Sequence, residues 1–579
     1  MKRTANPNEN RSVAMKTNSL LRLCVVVLCL AATATLRAAT AAVHRFIPEY
    51  TDARTCLQCH ENVADEIMHT VHWRWEHTDP ITGKKLGKNN VINNYCIAIR
   101  SNEPRCTSCH IGWGYSNASF DFNNANAIDC LACHDTTGTY KKFPTGSGYP
   151  VIGAPKEFPA GSGNFWQPPD LTYIARNVGK TSRATCGACH FFGGGGDAVK
   201  HGDLDSTLTR PSRDLDVHMG TNGLNFACAT CHLPENAPRH EMLGSPYTQS
   251  TNAIPLACEN CHGDAPHASD TNPTLAARLN THVARVACQT CHIPAFARGQ
   301  PTKMHWDWST AGIKNTNGAL MTVKGPDGTV IYDTQKGSFV WQKNVMPEYR
   351  WFNGAVDYIT ADDPVSSNEV VRINTLQGHR LDPKARIYPV KQFTGVQPYD
   401  AGLNRLAVPH LFPSGATDTN AFWKVFDWNK ALAAGQAAVG RTYSGVLGFV
   451  RTEMVWVQNH MVAPKEQALQ CGDCHAPRGR FDFAALGYPA DMAFRLQNMA
   501  GFKFTATNPG ARRDQISLRF QTGPGYVYQV QSSTDLVRWS DVPGGRFTGG
   551  ATISEVGWTN ATPSDVRAFY RVIRMPLPQ

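Results

Sequence analysis

The pattern Cys-x-x-Cys-His occurs eight times in this chain of 579 residues, and it limits the possible folds more than any other feature. In such a pattern two thiols add across the vinyl groups of a haem, and the His that follows then lies beneath the iron as an axial ligand. A chain of this composition is expected to contain about 0.02 such matches by chance. Eight matches therefore predict eight covalently bound haem c groups. The predicted attachment cysteines are Cys56, Cys59, Cys106, Cys109, Cys130, Cys133, Cys186, Cys189, Cys228, Cys231, Cys258, Cys261, Cys288, Cys291, Cys471 and Cys474. The predicted proximal iron ligands are His60, His110, His134, His190, His232, His262, His292 and His475.

Other uses of paired cysteines fit this pattern less well. Zinc sites do not need a His after every Cys pair, and a thioredoxin-like redox site needs one pair rather than eight. Adjacent pairs are also poor disulfide staples, because they close only short loops. Of the 19 cysteines, 16 lie in the motifs and two, Cys24 and Cys29, lie in the N-terminal segment described below. The remaining one, Cys96, is either a small buried apolar residue or an active-site thiol.

Thirteen histidines lie outside the motifs and supply candidates for the second axial ligand of the electron-carrying haems. Seven electron-relay haems need seven such ligands. Which His serves which haem cannot be derived from the sequence. The predicted distal ligands are His72, His218, His240, His267, His282, His305 and His460. The histidines left unassigned are His44, His69, His77, His201, His379 and His410.

Residues 1–41 are typical of a secretory signal. Lys16 and Arg22 precede an apolar run from Leu23 to Leu36, and Ala39-Thr40-Ala41 offers a cleavage site. The apolar run is short for a membrane span of about 20 residues, and no later run of about 18 apolar residues follows. We therefore expect the mature protein to be soluble and periplasmic or otherwise secreted.

The rest of the chain is predicted to form two domains. We expect residues 42–501 to form an octahaem cytochrome c domain that is mainly α with much irregular structure and is organised around its haems. After about residue 500 the composition changes, and alternating apolar residues predict a small all-β, sandwich-like domain at 502–579. The predicted helices span residues 64–75, 275–286, 421–438 and 453–459. The predicted strands span residues 516–520, 526–531 and 569–573.

The formal charge of +10 does not indicate a nucleic-acid partner. Residues 1–41 contain six Lys or Arg and one Glu, so their removal leaves +5. Each ferric haem with two ionised propionates contributes about −1, which brings the mature protein with eight haems to about −3. The basic residues therefore mostly balance propionates, and no basic run of the nucleic-acid type is present.

One stretch, together with the eight motifs, resembles a known family. It reads Cys186-Gly-Ala-Cys-His-Phe-Phe-Gly-Gly-Gly-Gly-Asp-Ala-Val-Lys-His-Gly-Asp203. Residues of about 50–480 resemble the octahaem tetrathionate reductase family, which is related to hydroxylamine oxidoreductase and pentahaem nitrite reductase. The Asp-x-x-Lys element is the specific part of this resemblance. No Cys-x-x-Cys-Lys motif is present, which argues against a standard pentahaem nitrite reductase.

The resemblance implies roles for four residues. A Lys is an axial ligand of the catalytic haem in that family, the second along the chain, and this corresponds to Lys200. Asp197 would orient Lys200 or relay a proton, and Cys96 would lie near the haem face and attack an S–S bond. Lys391 belongs to a basic stretch with Lys384 and Arg386 that either attracts anions or neutralises propionates. Whether His110 or Lys200 faces the substrate is left open by the sequence.

The implied reaction is reduction of a small inorganic anion, namely tetrathionate, nitrite or the related hydroxylamine. The implied partner is a periplasmic or membrane-bound donor cytochrome, and a homo-oligomer is possible. Two alternatives stand beside this prediction. The first is an electron-transfer cytochrome with no substrate of its own, and the second is a hydroxylamine or hydrazine oxidoreductase.

Overall fold

The computed structural model describes residues 43–79, 83–233, 240–242, 244 and 256–498, and the strands and adjoining residues within 505–575. The predicted signal at 1–41 lies outside the described residues. In the described part of the chain no helix is long and apolar enough to cross a membrane. The helices are α1 (Arg54–Leu57), α2 (Val63–Met68), α3 (Val71–Arg74), α4 (Glu103–Cys106), α5 (Leu131–His134), α6 (Leu171–Arg176), α7 (Arg183–His190), α8 (Cys228–His232), α9 (Glu259–His262), α10 (Pro273–His282), α11 (Cys288–His292), α12 (Phe422–Val425), α13 (Trp428–Ala438), α14 (Cys471–Cys474) and α15 (Ala490–Gln497).

Strands are as prominent as helices. The first strands are β1 (His77–Thr78), β2 (Lys85–Leu86), β3 (Lys156–Glu157), β4 (Phe165–Trp166), β5 (Thr302–Asp307), β6 (Thr322–Lys324), β7 (Val330–Asp333), β8 (Gly337–Gln342), β9 (Glu348–Phe352), β10 (Val356–Tyr358) and β11 (Val371–Arg372). The others are β12 (Asn374–Leu376), β13 (Arg386–Asp400), β14 (Arg405–Leu406), β15 (Leu447–Val457), β16 (Thr505–Thr507), β17 (Gln515–Gln521), β18 (Val527–Ser533), β19 (Ser540–Thr548), β20 (Ile553–Thr559) and β21 (Phe569–Met575).

Short helices carry the haem motifs because Cys-x-x-Cys-His covers just over one helical turn. Motifs three to seven lie wholly or mostly on α5, α7, α8, α9 and α11. The second motif differs, since its last cysteine ends a 3₁₀ turn at Thr107–Cys109 and His110 is already extended, with φ −77° and ψ 143°. The side chain of His110 therefore leaves the motif in a different direction.

A nine-stranded sheet forms the main core. Its order is β11-β15-β13-β5-β8-β7-β6, with β14 and β9 also paired to β13. Strand β13 runs antiparallel to β15 over eleven residue pairs and parallel to β5. Buried aromatic residues fill this core, among them Trp306, Trp308 and Phe393. The sheet places Lys391 of β13 directly opposite Trp456 of β15.

This sheet corrects the expectation of a mainly α fold, since helix accounts for 23% and strand for 21% of the structure. The helix predicted at 453–459 is wrong, because Glu453–Val457 is the end of β15. Val455, Trp456 and Val457 are β-branched or aromatic residues that suit a buried strand. The predicted helix 421–438 is two helices, since Phe426 has a left-handed backbone with φ 55°.

The other local predictions agree with the structure more closely. The segment 64–75 contains α2 and α3, separated where Thr70 is extended, and 275–286 contains most of α10. The strands predicted at 516–520, 526–531 and 569–573 correspond to β17, β18 and β21. They belong to two three-stranded antiparallel sheets, β16-β17-β20 and β19-β18-β21. The boundary of a separate domain at 502 stays a prediction.

Candidate functional site

All eight motifs line one connected cavity of about 4130 Å³. The average volume for each of the eight motifs is about 520 Å³. A pocket for a single ligand usually has about 300–1,000 Å³. The cavity therefore has the volume that eight large flat cofactors in mutual contact need.

Seven motif histidines each face one histidine from elsewhere in the chain. The ring centroids in these pairs are 6.0–6.3 Å apart. Two bonds of about 2 Å between a metal and imidazole nitrogens, added to ring radii of about 1.1 Å, give about 6.2 Å. Each pair is therefore spaced to hold one iron between its rings. The pairs are His60 with His44, His134 with His240, His190 with His72, His232 with His460, His262 with His218, His292 with His267, and His475 with His282.

Six of the seven predicted distal ligands lie opposite a motif histidine. His305 does not, because it lies on β5 with its Nδ1 atom 2.8 Å from the Thr394 hydroxyl. The seventh partner is His44, which the sequence analysis left unassigned. Its position twelve residues before Cys56 carries no distinctive pattern, so composition alone gave no signal for it.

Hydrogen bonds at Nδ1 orient several of these rings. The Nδ1 atoms of His134, His282 and His475 lie 2.7–2.8 Å from backbone carbonyl oxygens. In His240 and His460 the acceptors are the carboxylates of Glu66 (2.8 Å) and Asp203 (3.2 Å). An Nδ1 proton held in this way leaves Nε2 as the ligand atom, which is the usual arrangement at metal-binding histidines.

Burial also favours the neutral imidazoles that iron needs. It lowers the pKa of His72 to about 4 and lowers those of His134, His292 and His475 below the usual value. His460 differs: burial alone would lower its pKa, but the hydrogen bond and charge of Asp203 raise it. Because the spacing of the pairs and the orientation of their rings suit iron, these residues fit haem c.

Contacts between cysteines of different motifs give the order of the haem sites. Thiols touch between motifs one and three (Cys56, Cys130), two and four (Cys109, Cys189), four and five (Cys186, Cys228), and six and seven (Cys258, Cys288). Electrostatic proximity links three to four (Cys133, Cys186), five to six (Cys231, Cys261) and seven to eight (Cys291, Cys471). The sites thus follow the order 1-3-4-5-6-7-8, and motif two branches from motif four.

The second motif has no paired histidine in the described part of the chain. His110 is buried among Trp73, Trp75, Tyr115 and Phe120, at centroid distances of 5.0–5.3 Å. Its Nε2 atom donates a hydrogen bond of 2.7 Å to the Trp73 carbonyl oxygen. In this geometry Nε2 of His110 is engaged by the Trp73 carbonyl while Nδ1 is buried without a partner, which differs from the seven paired histidines; the role of His110 as an iron ligand stays a prediction. The physical reason for the difference is the extended backbone that follows the 3₁₀ turn.

Lys200, the ligand that the resemblance implies for the second motif, lines the same cavity as the motifs and acts electrostatically on His190 of motif four. Its amine is 4.3 Å from the centroid of the Trp456 ring, and it makes no hydrogen bond or ion pair within the described residues. Burial, with a smaller effect of Lys88, lowers the pKa of Lys200 to about 7. Lys88 also influences the second-motif thiol of Cys109, so the two lie in one neighbourhood. A substantial fraction of Lys200 is therefore neutral near pH 7, as iron binding requires.

Lys391 supports the Lys200 segment and does not face solvent. Its side chain is fully buried, and its amine donates to the Val199 carbonyl (2.8 Å) and the Thr302 hydroxyl (2.7 Å). The Thr302 hydroxyl in turn donates to the Ala198 carbonyl, at 2.7 Å. The expectation that Lys391 attracts anions is corrected by this burial, because the side chain is tied to the backbone just before Lys200.

Asp197 also differs from its expected role. Both of its carboxylate oxygens accept hydrogen bonds from Ser206, from the backbone N–H at 3.0 Å and from the hydroxyl. Those bonds fix the start of the 3₁₀ turn at Ser206–Thr209, and no ion pair joins Asp197 to Lys200 among the described residues. The role of Asp197 in orienting Lys200 was implied by the Asp-x-x-Lys resemblance; in the structure the backbone of Ala198, between the two residues, is left-handed with φ 56°.

Cys96 lies against the glycine-rich loop that leads to Lys200. Its thiol donates to the Gly194 carbonyl at 3.0 Å, and a Cβ at Gly195, where φ is +91°, would be 2.6 Å from Sγ. Burial raises the pKa of the Cys96 thiol, although Lys336, Lys303 and Arg105 oppose the shift. Cys96 also influences Cys106, which places it beside the second motif.

Comparison with known proteins agrees with this arrangement. Residues 303–478 match a family model described as bacterial cytochrome c. An uncharacterised protein of Archaeoglobus fulgidus is 24% identical over 227 residues, which are 33% of this chain and 75% of that protein. The crystal structure of an octahaem cytochrome c from Shewanella oneidensis is similar with a TM-score of 0.68 and 42% identity, over 79% of this chain and 99% of that chain. This similarity confirms the multihaem resemblance seen in the sequence, and the chain belongs to the octahaem cytochrome c family.

Proposed function

We propose that this protein is a secreted octahaem c-type cytochrome that reduces small inorganic species at a centre formed by the second motif and Lys200. The substrates would be tetrathionate, nitrite or hydroxylamine. The observation that carries the proposal is the contrast between seven paired histidines and the second motif, where His110 is withdrawn and the buried Lys200 amine is available. Bound haem c would supply eight one-electron carriers and an iron with an exchangeable position.

The residues around this centre have distinct tasks in the proposal. The amine of Lys200 would hold the iron, and the hydrogen bonds of Lys391 and Thr302 fix the backbone from which it extends. The Trp456 ring lies 4.3 Å from the amine, and burial in this environment lowers the pKa of Lys200. His110 stays hydrogen-bonded to Trp73 and away from the iron.

The charges near Cys96 suit an anionic substrate. Lys336, Lys303 and Arg105 all act on the Cys96 thiol, and Arg105 and Lys336 line the same cavity as the motifs. A site lined by one sign of charge raises the local concentration of the opposite ion. In the proposal Arg105 and Lys336 draw tetrathionate toward Cys96. The Cys96 thiolate attacks the central sulfur–sulfur bond, releases one thiosulfate and keeps the other as an adduct; two electrons from the bound haems would then release the second thiosulfate and restore the thiolate.

Reoxidation of the reduced protein tests the proposal. The holoprotein is reduced, tetrathionate, nitrite and hydroxylamine are added separately, and the reoxidation rates are compared for the wild type, Lys200→Met and the control Lys324→Met, whose residue is exposed on β6. We expect Lys200→Met to slow reoxidation by at least about tenfold while Lys324→Met leaves it unchanged. Equal rates for Lys200→Met and the wild type would remove Lys200 from the reaction.

A second candidate function is electron transfer without a substrate. The seven histidine pairs favour it, since irons held between two histidines have no open position. An oxidised protein that showed only low-spin haems and no reoxidation by any of the three compounds would support this candidate. A haem covalently linked to a Tyr would instead indicate a hydroxylamine or hydrazine oxidoreductase.

A further inference from the structure

Carboxylate groups contact the distal histidines of two haem sites. The Oδ2 atom of Asp203 lies 3.2 Å from Nδ1 of His460, the residue that faces motif five. The Oε2 atom of Glu66 lies 2.8 Å from Nδ1 of His240, the residue that faces motif three. Asp203 and His460 are 257 positions apart in the sequence, and Glu66 and His240 are 174 positions apart. Each contact is therefore made by the fold, and no local sequence pattern indicates it.

The Asp203 carboxylate is held firmly in this position. Its Oδ2 atom also accepts hydrogen bonds from the backbone N–H groups of Asn459, at 2.6 Å, and of His460, at 2.8 Å. The Asp203 side chain is 2% exposed, whereas that of Glu66 is 33% exposed. Asp203 is thus a buried acceptor fixed by the segment that carries the ligand, and Glu66 is a partly exposed acceptor that can be replaced at a lower structural cost.

Other ring hydrogen bonds at the haem sites go to neutral acceptors. At motif eight the Nδ1 atoms of His282 and His475 lie 2.8 and 2.7 Å from the carbonyl oxygens of Arg278 and Leu496. An ionised acceptor binds the Nδ1 proton more strongly than a carbonyl does, and it leaves more negative charge on the ring. A more negative ring stabilises ferric relative to ferrous iron, so a carboxylate acceptor lowers the reduction potential of the haem.

The other charges that act on the thiols of motifs three and five are of both signs. Asp129 and Lys142 act on Cys133 of motif three, and they form an ion pair of 2.9 Å with each other. Arg183 and Asp216 act with opposite sign on the two thiols of motif five. Because these charges largely offset one another, the carboxylates that contact a ligand ring decide the local field.

Motif four lies between these two sites and has a different electrostatic environment. Its thiols touch those of motif five and are close to those of motif three. Lys88 acts on the ring of His190, which belongs to motif four, and on the facing ring of His72. A cation near an iron site favours the ferrous state, because reduction adds one negative charge. Motif four is also the site whose thiol touches the second motif, through Cys189 and Cys109.

We propose that Asp203 and Glu66 lower the reduction potentials of the haems at motifs five and three, so that electrons collect at motif four, beside the second motif. Both carboxylates act through a distal histidine and are positioning residues. In each transfer one electron leaves the ferrous haem at motif three or five and reduces the ferric haem at motif four; no proton moves, and no bond is made or broken. This arrangement requires only that haems bind at these motifs; as a supply of electrons to the second motif, it rests on the proposed function.

The reduction potentials of individual haems test this proposal. The oxidised holoprotein is titrated stepwise with reductant, and samples frozen at each potential are examined by electron paramagnetic resonance to separate the haems. The wild type is compared with Asp203→Asn and Glu66→Gln, which keep the shape of the side chain and remove its charge. Asp418→Asn is the matched control: the Asp418 carboxylate also contacts a ring nitrogen, Nε2 of His410 at 2.7 Å, but His410 is not one of the paired histidines. His72→Met identifies the haem at motif four by its changed signal.

We expect Asp203→Asn to raise the potential of one haem and Glu66→Gln to raise that of a different one. At a fixed applied potential the ratio of ferrous to ferric iron at the affected haem should rise about tenfold, which is a shift of about 59 mV for one electron. In the wild type both haems should be reduced after the haem at motif four. Every potential should be unchanged in Asp418→Asn.

Three results would overturn the proposal: no upward shift in either purified variant, an equal shift in Asp418→Asn, or a haem at motif four that is reduced last of the three. Glu66→Gln decides the question alone if Asp203→Asn yields no holoprotein. Because these potentials are measured without any substrate, they succeed or fail independently of the reoxidation rates that test the proposed function.

Discussion

The Nε2 atom of His110 lies 2.7 Å from the carbonyl oxygen of Trp73 and donates a hydrogen bond to it. This relationship separates the second motif from the other seven, whose histidines face a second imidazole ring. The difference arises from local backbone geometry. His110 has an extended backbone, whereas the histidines of motifs three to seven lie within short helices. In the proposed function, an iron at this motif would take its ligand from elsewhere in the chain, and Lys200 is the residue that the proposal assigns to it.

Replacing His110 should leave iron ligation intact. In His110→Ala the Trp73 carbonyl loses a hydrogen bond inside an aromatic cluster, so we expect a loss of stability of about 1–3 kcal/mol. The electronic spectrum of the oxidised protein should gain no high-spin haem. The matched variant His190→Ala should gain one, because His190 faces His72 at 6.0 Å. A new high-spin signal in His110→Ala would show that His110 does bind iron.

Replacing Lys391 should disturb the Lys200 centre without a change in charge at the surface. Lys391→Met leaves the Val199 carbonyl and the Thr302 hydroxyl without their buried donor, which costs about 1–3 kcal/mol. We expect a lower melting temperature and an altered absorption of the second-motif haem, with the other seven unchanged. The control Lys324→Met, at an exposed position on β6, should alter neither quantity. A Lys391→Met protein with wild-type melting and spectrum would contradict this role.

Cys96 should react slowly with alkylating agents at neutral pH. With residues 1–41 removed as the sequence predicts and the motif cysteines bound to haem, Cys96 is the one cysteine left to label, so iodoacetamide labelling followed by mass spectrometry reports on it alone. Because burial raises its pKa, the thiolate fraction at pH 7 is smaller than for a free thiol of pKa about 8.5. We expect labelling at pH 7 to be at least about tenfold slower than for glutathione and to accelerate above pH 9. Labelling as fast as that of glutathione would mean that the thiol is exposed or activated.

The Asp418 carboxylate should stabilise the fold above about pH 4. It accepts hydrogen bonds from His410 Nε2 (2.7 Å) and from the backbone N–H groups of Ser414 (2.9 Å) and Asn420 (2.9 Å). Burial alone would raise its pKa, but these bonds hold the pKa of Asp418 well below its usual range. A carboxyl with a lower pKa in the folded state stabilises above its unfolded pKa of about 3.9, and this stabilisation is lost as the pH falls toward the folded value.

We therefore expect Asp418→Asn to lower the free energy of unfolding by about 1–3 kcal/mol at pH 7, measured by denaturant unfolding of the holoprotein. The difference from the wild type should narrow below about pH 4. Asp362→Asn serves as the control, because the Asp362 side chain is 70% exposed and should contribute little. A difference that stays constant down to pH 3 would contradict the assigned pKa direction.

The haem-binding chemistry was accessible from sequence because covalent attachment needs fixed residues at fixed spacing. Cys56 and His60, for example, are specified by their motif regardless of the fold around them. Six of the histidines predicted as distal ligands face a motif histidine in the structure, but which motif each one faces depends on the three-dimensional fold. The sequence analysis chose His305, whose Nδ1 atom contacts the Thr394 hydroxyl, and omitted His44, which faces His60. The residues around these two histidines in the sequence do not distinguish them.

The sheet could not be predicted because its central strand lacks the usual pattern. Strand β13 is buried along most of its length and contains Pro389, Gly395 and Pro398, which are unusual inside strands. Because β13 was not recognised as a buried strand, Lys391 was grouped with Lys384 and Arg386 as part of a basic stretch, although its side chain is fully buried. The roles of Asp197 and Lys391 depend on which way the chain turns after Ala198, and one left-handed residue there decides it.

An inventory of axial ligands tests the central claim most directly. Near-infrared magnetic circular dichroism of the oxidised holoprotein distinguishes haems held by two histidines from a haem held by an amine. The account predicts seven haems of the first kind and one of the second, and only the latter should change in Lys200→Met. Eight bis-histidine haems, or a wild-type spectrum in Lys200→Met, would contradict it.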